Sequence, residues 1–306
     1  MYHIIVNPAS RSGKGLKIFQ ETIEPILHKE QVPFCVYFSK KQGDVALLAK
    51  DITANTTDIV KLAVIGGDGT INEALQGIKD FTKVHIGYIP TGSSNDLARD
   101  LKIDTNPAAS VRRVFLEENI RKVDLGCVSY PDGTSRYFIV SCGIGFDAAV
   151  CEEALHSGLK NFFNKIGLGK LTYLGIALKQ LFTAKPASCI LTLDDAEPIH
   201  INKVLFVAIM SHRFEGGGFM FCPDAVANDG ILNLCAVGDI KKSVILVALP
   251  TAFKGKHYKV KGITPYKAKT IKVKTSIPLW LHTDGEVLRK TQEFTVTCKK
   301  EQISLL

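Results

Sequence analysis

The stretch 61-KLAVIGGDGTINEALQGI-78 joins an apolar run to a helix-like pattern through Gly66, Gly67, Asp68 and Gly69. Its spacing predicts a strand ending at Ile65 and a helix from about Thr70, with Ile71, Ala74, Leu75 and Ile78 on one face. Glycines at 66, 67 and 69 remove the Cβ atoms that would obstruct a ligand and permit positive φ. The unpaired N–H groups of the first helical turn add the positive end of the helix dipole, so the element reads as an anion site. A carboxylate there would repel a phosphate unless a divalent cation stands between them, which makes a metal-bound polyphosphate the expected ligand. An ordinary strand–helix turn with Asp68 as a helix cap is the plainer reading of this element alone.

Outward from it, the first 125 residues alternate apolar runs with helical patterns: "YHIIVNP", "GLKIFQETIEPILHKE", "FCVYFSK", "DVALLAKDIT", "KLAVIGG", "TINEALQGIK", "VHIGYIP" and "AASVRRVFLEEN". Strict alternation implies a parallel sheet with helices on both faces, and such sheets bind ligands at the carboxyl ends of their strands. Past "RKVDLGCV" the period changes to two. Ile271 and Val273 alternate with Lys272 and Lys274, and Phe294, Val296 and Cys298 with threonines, so the second half should be mainly antiparallel β. Helical patterns interrupt it near Ala148 to Thr183 and Lys241 to Lys254. The expected division is 1–124 and 125–298.

Two further loops sit at strand ends: Asn7, Pro8, Ala9, Ser10 and Arg11 in "IIVNPASRSGKG", and Thr91, Gly92, Ser93, Ser94 and Asn95 in "IGYIPTGSSNDLAR". Together with Gly66–Gly69 they would form one polar wall, and none has the spacing of the P-loop. In "HTDGEVL", Asp284 and Glu286 flank a glycine, close enough to raise one another's pKa and suit one of them to general-base work; a plain Asp-Gly hairpin turn is the alternative.

The 306 residues are 46% apolar and 22% charged, as in a globular protein, with a formal charge of +8 that favours polyanions. The opening residues lack the plan of a signal peptide, which predicts a cytoplasmic location. The apolar run Ser243 to Phe253 is 11 residues and contains Pro250, against the roughly 20 needed to span a bilayer, so membrane contact would be peripheral. Eight cysteines show no C-x-x-C pair and read as reduced core residues.

The ordered set "NPASRSGKG", "GGDGTINEAL", "IPTGSSNDLAR", "GIGFDAAV", "GGGFMFCPDAVANDGILNL" and "HTDGE" resembles the diacylglycerol kinase catalytic-domain family, especially its soluble bacterial lipid kinases. The GGDGT element by itself is shared with NAD kinases and, more loosely, phosphofructokinases. The resemblance implies an α/β nucleotide domain of that type, a β-sandwich lipid-substrate domain, an active site in the cleft between them, and residues 299–306 returning to the first domain. It implies ATP contacts at Asn7, Pro8, Ala9, Ser10, Arg11, Ser39, Gly66, Gly67, Asp68, Gly69, Thr70, Ile71, Asn72, Glu73, Thr91, Gly92, Ser93 and Asn95. Asp68 and Asp96 would organise a catalytic Mg2+ through waters, and Asp284 or Glu286 would take the acceptor's proton. Asp229 with the carbonyls of Val226 and Ile231 would hold a second, structural Mg2+. The third loop departs from the pattern, with Thr-Gly-Ser-Ser-Asn-Asp where many relatives have Gly-Thr-Gly-Asn-Asp. A homodimer is implied by resemblance alone.

"SCGIGFDAAV" matches a dinucleotide fingerprint only superficially, because no strand ending in an acid follows, and it reads instead as a tight turn at the domain junction. Glycines 216–218 read as a place where a lipid headgroup meets the backbone. The segment Leu155 to Phe182 mixes lysines with Leu and Phe, a pattern shared by core helices and by helices lying on an anionic membrane. His282, beside the DGE turn, is the one histidine placed to support the site. No motif for nucleic acid is present. The expected activity is transfer of the γ-phosphoryl of ATP to the hydroxyl of a lipid alcohol such as diacylglycerol, at the inner membrane face. An NAD-kinase-type enzyme and a catalytically silent nucleotide or lipid sensor are the rivals.

Overall fold

The computed structural model describes residues 1–54, 56–117, 119–156, 169–185 and 187–306. Thirteen strands form a continuous sheet. Near its amino-terminal end are β1 (Tyr2–Val6), β2 (Phe34–Phe38), β3 (Val60–Gly66) and β4 (Val84–Pro90). All three of their pairings, β1 with β2, β1 with β3 and β3 with β4, are parallel. Helices cover both faces, as the predominantly apolar strands demand. Ile5, Leu62 and Val64 pack with Val45, Ala49, Ile71, Ala74 and Leu75 of helices Asp44–Thr53 and Asp68–Gly77. The alternate residues Ile4, Val6, Ala63 and Ile65 pack with Phe19, Ile23, Leu27, Val111 and Phe115 on the other face.

The remaining strands are β5 (Arg121–Ser129), β6 (Ser135–Phe138), β7 (Ser141–Gly145), β8 (Ala187–Leu193), β9 (Ile199–Met210), β10 (Leu232–Gly238), β11 (Ile263–Ala268), β12 (Thr270–Thr283) and β13 (Glu286–Leu305). Their mutual pairings are antiparallel. Ile271, Val273, Phe294 and Val296 face a core shared with Ile144, Val207, Ile209 and Leu234. The opposite faces of β9 and β10, with Phe206, Ala208, Met210, Cys235 and Val237, pack under helix Lys242–Ala252 through Ile245 and Ala248.

Strand β13 ties the halves together: its start pairs with β12, and its end, at Ser304 and Leu305, pairs in parallel with His85 and Ile86 of β4. Two expectations are corrected. The strand of the opening motif runs to Gly66 and its helix begins at Asp68, earlier than the hydrophobic spacing indicated. "SCGIG" is not a junction turn but strand β7, paired with β9 and β12 and running directly into helix Phe146–His156. Residues 157–168 of the amphipathic Leu155–Phe182 segment lie outside the described residues.

Candidate active site

The carboxyl ends of β1 to β4 bring Asn7, Ser39, Gly66 and Thr91 together. Ser39 N–H donates to the Val6 carbonyl (3.0 Å) and Thr91 N–H to that of Gly66 (2.8 Å). Asn7 Nδ2 donates to Thr70 Oγ1 (3.0 Å), and Ser10 Oγ and Thr91 Oγ1 share a hydrogen at 2.8 Å. Pro8, Ala9 and the exposed Arg11 continue this rim, with Ser93 on the next loop. Asn95 adopts a left-handed conformation, its amide closing the loop on Gly92 N–H and C=O. The glycines serve close approach rather than positive φ, since none of Gly66, Gly67 and Gly69 is left-handed. A Cβ on Gly92 would lie 2.6 Å from Gly67 Cα, so two backbones touch where side chains would part them.

Asp68 and Asp96 meet at the floor. Asp68 is no helix cap; its Oδ2 accepts from Asp96 N–H (2.8 Å) and its Oδ1 from the Tyr88 hydroxyl (3.2 Å). Asp96 Oδ2 accepts from Gly217 N–H (2.7 Å), while Oδ1 pairs with Arg99. Burial pushes the Asp68 carboxyl up to about 6, reinforced by the charges of Asp96 and Asp284 and opposed by the bonds from Asp96 N–H and Tyr88. Burial also raises Asp96, against the N–H of Gly217 and the charge of Arg99. Two crowded, desolvated carboxylates with hard oxygen donors fit a magnesium ion, whose charge would relieve both.

The DGE segment is a two-residue hairpin between Thr283 and Glu286, with Asp284 at φ 48° and Gly285 at φ 83°, as an Asp-Gly turn requires. Yet the turn carries the site. Asp284 Oδ1 accepts from Val140 and Ser141 N–H (both 2.9 Å), and Oδ2 from Ile139 N–H (2.9 Å) and Asn72 Nδ2 (2.7 Å). Burial raises its carboxyl, partly offset by these four donors. Glu286 is half-buried, with Oε2 accepting from Gln42 Nε2 (3.0 Å), and its Oε1 lies 3.4 Å from where a Cβ on Gly69 would stand.

Beneath the turn, His282 is fully buried. Gly285 N lies 3.2 Å from its Nδ1, and its Nε2 faces Glu215 Oε1 (3.1 Å) and Asp147 Oδ2 (3.3 Å). Burial alone would lower its pKa, but Glu215 and Asp147 outweigh this and push it up to about 9. Burial pushes Glu215 up to about 7, held down by His282 and raised further by Asp147.

Some expected nucleotide contacts turn their side chains elsewhere. Ile71 is core, Asn72 serves Asp284 and the Tyr137 carbonyl, and Glu73 accepts from Val45 N–H (3.1 Å) at the start of another helix. Asp229 Oδ1 accepts from Ile231 N–H (2.9 Å) and Val226 is exposed; their loop is anchored by Asp124, which accepts from Gly230 and Glu301 N–H (both 2.7 Å). Gly217 in the glycine loop reaches Asp96, not empty space. Sequence reasoning missed Tyr88, Arg99, Arg136, Asp147 and Glu215. Arg136, which bridges Asn72 Oδ1 (3.1 Å) and Thr283 Oγ1 (2.7 Å), gave no signal, whereas Asp147 lay inside a quoted glycine motif and Glu215 immediately before Gly216.

The comparisons with known proteins agree with this plan. Residues 1–128 match the family model described as "Diacylglycerol kinase catalytic domain", and residues 140–306 match "YegS C-terminal NAD kinase beta sandwich-like domain". The chain is 31% identical to the Bacillus subtilis (strain 168) protein named "Putative lipid kinase YtlR", covering 95% of this chain and 94% of that one. It is 27% identical to a Mycobacterium tuberculosis (strain H37Rv) protein named "Diacylglycerol kinase", over 88% and 83%. A Bacillus anthracis structure titled "Crystal structure of a putative diacylglycerol kinase" shares the fold at TM-score 0.75 and 22% identity, over 99% of this chain and 94% of that one. Fold, motifs and relatives together define a lipid kinase. The chain belongs to the diacylglycerol kinase catalytic-domain family.

Proposed function

We propose that the enzyme transfers the γ-phosphoryl of ATP to the hydroxyl of a lipid alcohol, diacylglycerol giving phosphatidic acid, in the cleft between its α/β and β-sandwich parts at the inner membrane face. The observation that carries this is the meeting of Asp68 and Asp96, at the strand ends, with a hairpin that sets Glu286 beside Gly69. Phosphoryl transfer needs a phosphate cradle, a cation and a base on the acceptor, and these residues supply a place for each. Asn7, Ser10, Gly67, Thr91 and Gly92 line the cradle. Asp68 and Asp96 would hold magnesium through water, and when bound the ion neutralises charge developing on the phosphates. Glu286 takes the acceptor's proton. Asp284 is a positioning residue, because its four acceptor sites are filled by the 139–141 backbone and Asn72. Asp229, with the carbonyls of Val226 and Ile231, is the oxygen-donor set for a second cation. Diacylglycerol as acceptor is supported by the names of the relatives.

The test is ADP formation by the purified protein with ATP and magnesium. Release that depends on diacylglycerol in mixed micelles supports the reading, and ATP binding without lipid-dependent ADP would make the protein a sensor.

A further inference from the structure

Between Asp239 and Asp284 the chain has ten lysines and no acidic residue. The whole molecule carries a formal +8, so outside this stretch it is slightly acidic. The stretch opens with helix Lys242–Ala252, which turns Ile245, Ala248 and Ala252 inward. Its outer face is apolar as well: Val244, Leu246, Val247 and Pro250 all meet solvent, Val247 at 74% exposure. Phe253, half exposed, continues this ridge, and Phe182, 60% exposed, lies at its start, where Lys242 Nζ donates to the Phe182 and Ala184 carbonyls (2.9 and 3.0 Å).

A helix that is apolar on both faces has a partner for the outer one. The lysines indicate which. Lys241, Lys254, Lys256, Lys259 and Lys261 are exposed, and none of them forms an ion pair with a described residue. Farther along, Lys272 and Lys274 do pair, with Asp195 (2.8 Å) and Glu293 (3.8 Å). An apolar ridge ringed by uncompensated lysines matches the interface of an anionic bilayer, where apolar side chains enter the acyl boundary and ammonium groups stay among phosphates. A second copy of the chain is disfavoured, since a two-fold contact through this face would oppose lysines to lysines. The ridge also adjoins the site. Phe253 stacks on Phe219 with ring centroids 4.1 Å apart, and Phe219 closes the Glu215–Phe219 loop whose Gly217 N–H reaches Asp96.

We infer that the outer face of helix Lys242–Ala252, with Phe182, Phe253 and the lysines of the following loop, is the surface by which the protein docks on an anionic lipid membrane. The inference rests on the lipid-kinase reading for its purpose, and its test separates the two.

The test is co-sedimentation of the full chain with vesicles of phosphatidylcholine alone or mixed with an equal part of phosphatidylglycerol. Binding should require phosphatidylglycerol and weaken with salt. Val247→Asp should weaken it about tenfold, and Lys254→Glu with Lys256→Glu by at least about a hundredfold, given roughly fivefold per basic charge at the surface. The remote double reversal Lys17→Glu with Lys29→Glu, of equal charge change, should matter much less. Absence of binding to anionic vesicles overturns the inference, as does equal weakening by the remote reversal. Wild-type binding by Val247→Asp also overturns it, because a general polyanion surface would ignore the ridge. A dimer broken by Val247→Asp, with no vesicle binding, assigns the face to a second copy. Phosphorylation of dispersed dioctanoylglycerol reports the catalytic reading independently: activity there without vesicle binding sinks only the docking surface, and vesicle binding without activity sinks only the kinase.

Discussion

Replacing Asp284 by asparagine and Glu286 by glutamine separates two carboxylates that the motif presents as equals. The Asp284 carboxylate accepts from three backbone N–H groups and the Asn72 amide. An asparagine keeps one acceptor oxygen and sets its NH2 against two of those four donors. Two bonds are lost and two buried donors are left unpaired, at about 1–3 kcal/mol each, so Asp284→Asn should cost about 2–6 kcal/mol. Against a typical total of about 5–15 kcal/mol, that is a large share of the fold's stability. Glu286 is half-buried, and a glutamine oxygen can still accept its hydrogen bond from Gln42, so Glu286→Gln should change stability by about 0.5 kcal/mol while lowering kcat by about 10²- to 10⁴-fold. Urea unfolding, read at the midpoint with the slope checked, measures the first quantity, and steady-state phosphorylation of diacylglycerol the second. The assignment of roles is refuted if Asp284→Asn unfolds at the wild-type midpoint, or if Glu286→Gln keeps activity within about tenfold.

Gly92→Ala would drive a methyl to 2.6 Å from Gly67 Cα, and backbone cannot swing aside, so the KM for ATP should rise at least about tenfold; unchanged nucleotide titration would dissociate these loops from the cradle. Asp124→Ala removes the acceptor for Gly230 and Glu301 N–H and should lower stability by about 2–4 kcal/mol in chemical unfolding, an unchanged midpoint being the contrary result. The Asp68 carboxyl, near 6 when folded against an ordinary 3.8, keeps its proton between those values while the unfolded chain has released it, so stability of the metal-free protein falls as pH rises through that window, by up to about 3 kcal/mol. Magnesium favours the carboxylate and should therefore raise Tm more near neutral pH than near pH 5; an equal rise at both would exclude Asp68 from the ion's surroundings.

The element types were legible where one physical signal dominates. Leu62 to Gly66 is apolar throughout because both faces of its strand are covered, and Ile271 and Val273 alternate with lysines because one face of theirs is wet. The return of the last residues to β4 came from the family resemblance, not from any pattern in "EQISLL". The glycines of the opening motif were read as clearing space and as permitting positive φ; none adopts positive φ, and the space they clear lies against Thr70 within the motif and against Gly92 and Glu286, which are remote in sequence. The same limit explains Asn72 and Asp284, which stand 212 residues apart and meet only when β12 and β13 turn back on the first helix of the motif. His282 was singled out by adjacency to the turn, but the partners that raise its pKa, Glu215 and Asp147, come from the Glu215–Phe219 loop and the first turn of helix Phe146–His156.

The central claim is tested most directly by incubating the protein with γ-labelled ATP and magnesium, offering diacylglycerol in mixed micelles and NAD together, and separating the products. The account predicts label in phosphatidic acid, lost in Glu286→Gln. Label in the dinucleotide, or lipid labelling that survives Glu286→Gln, would contradict it.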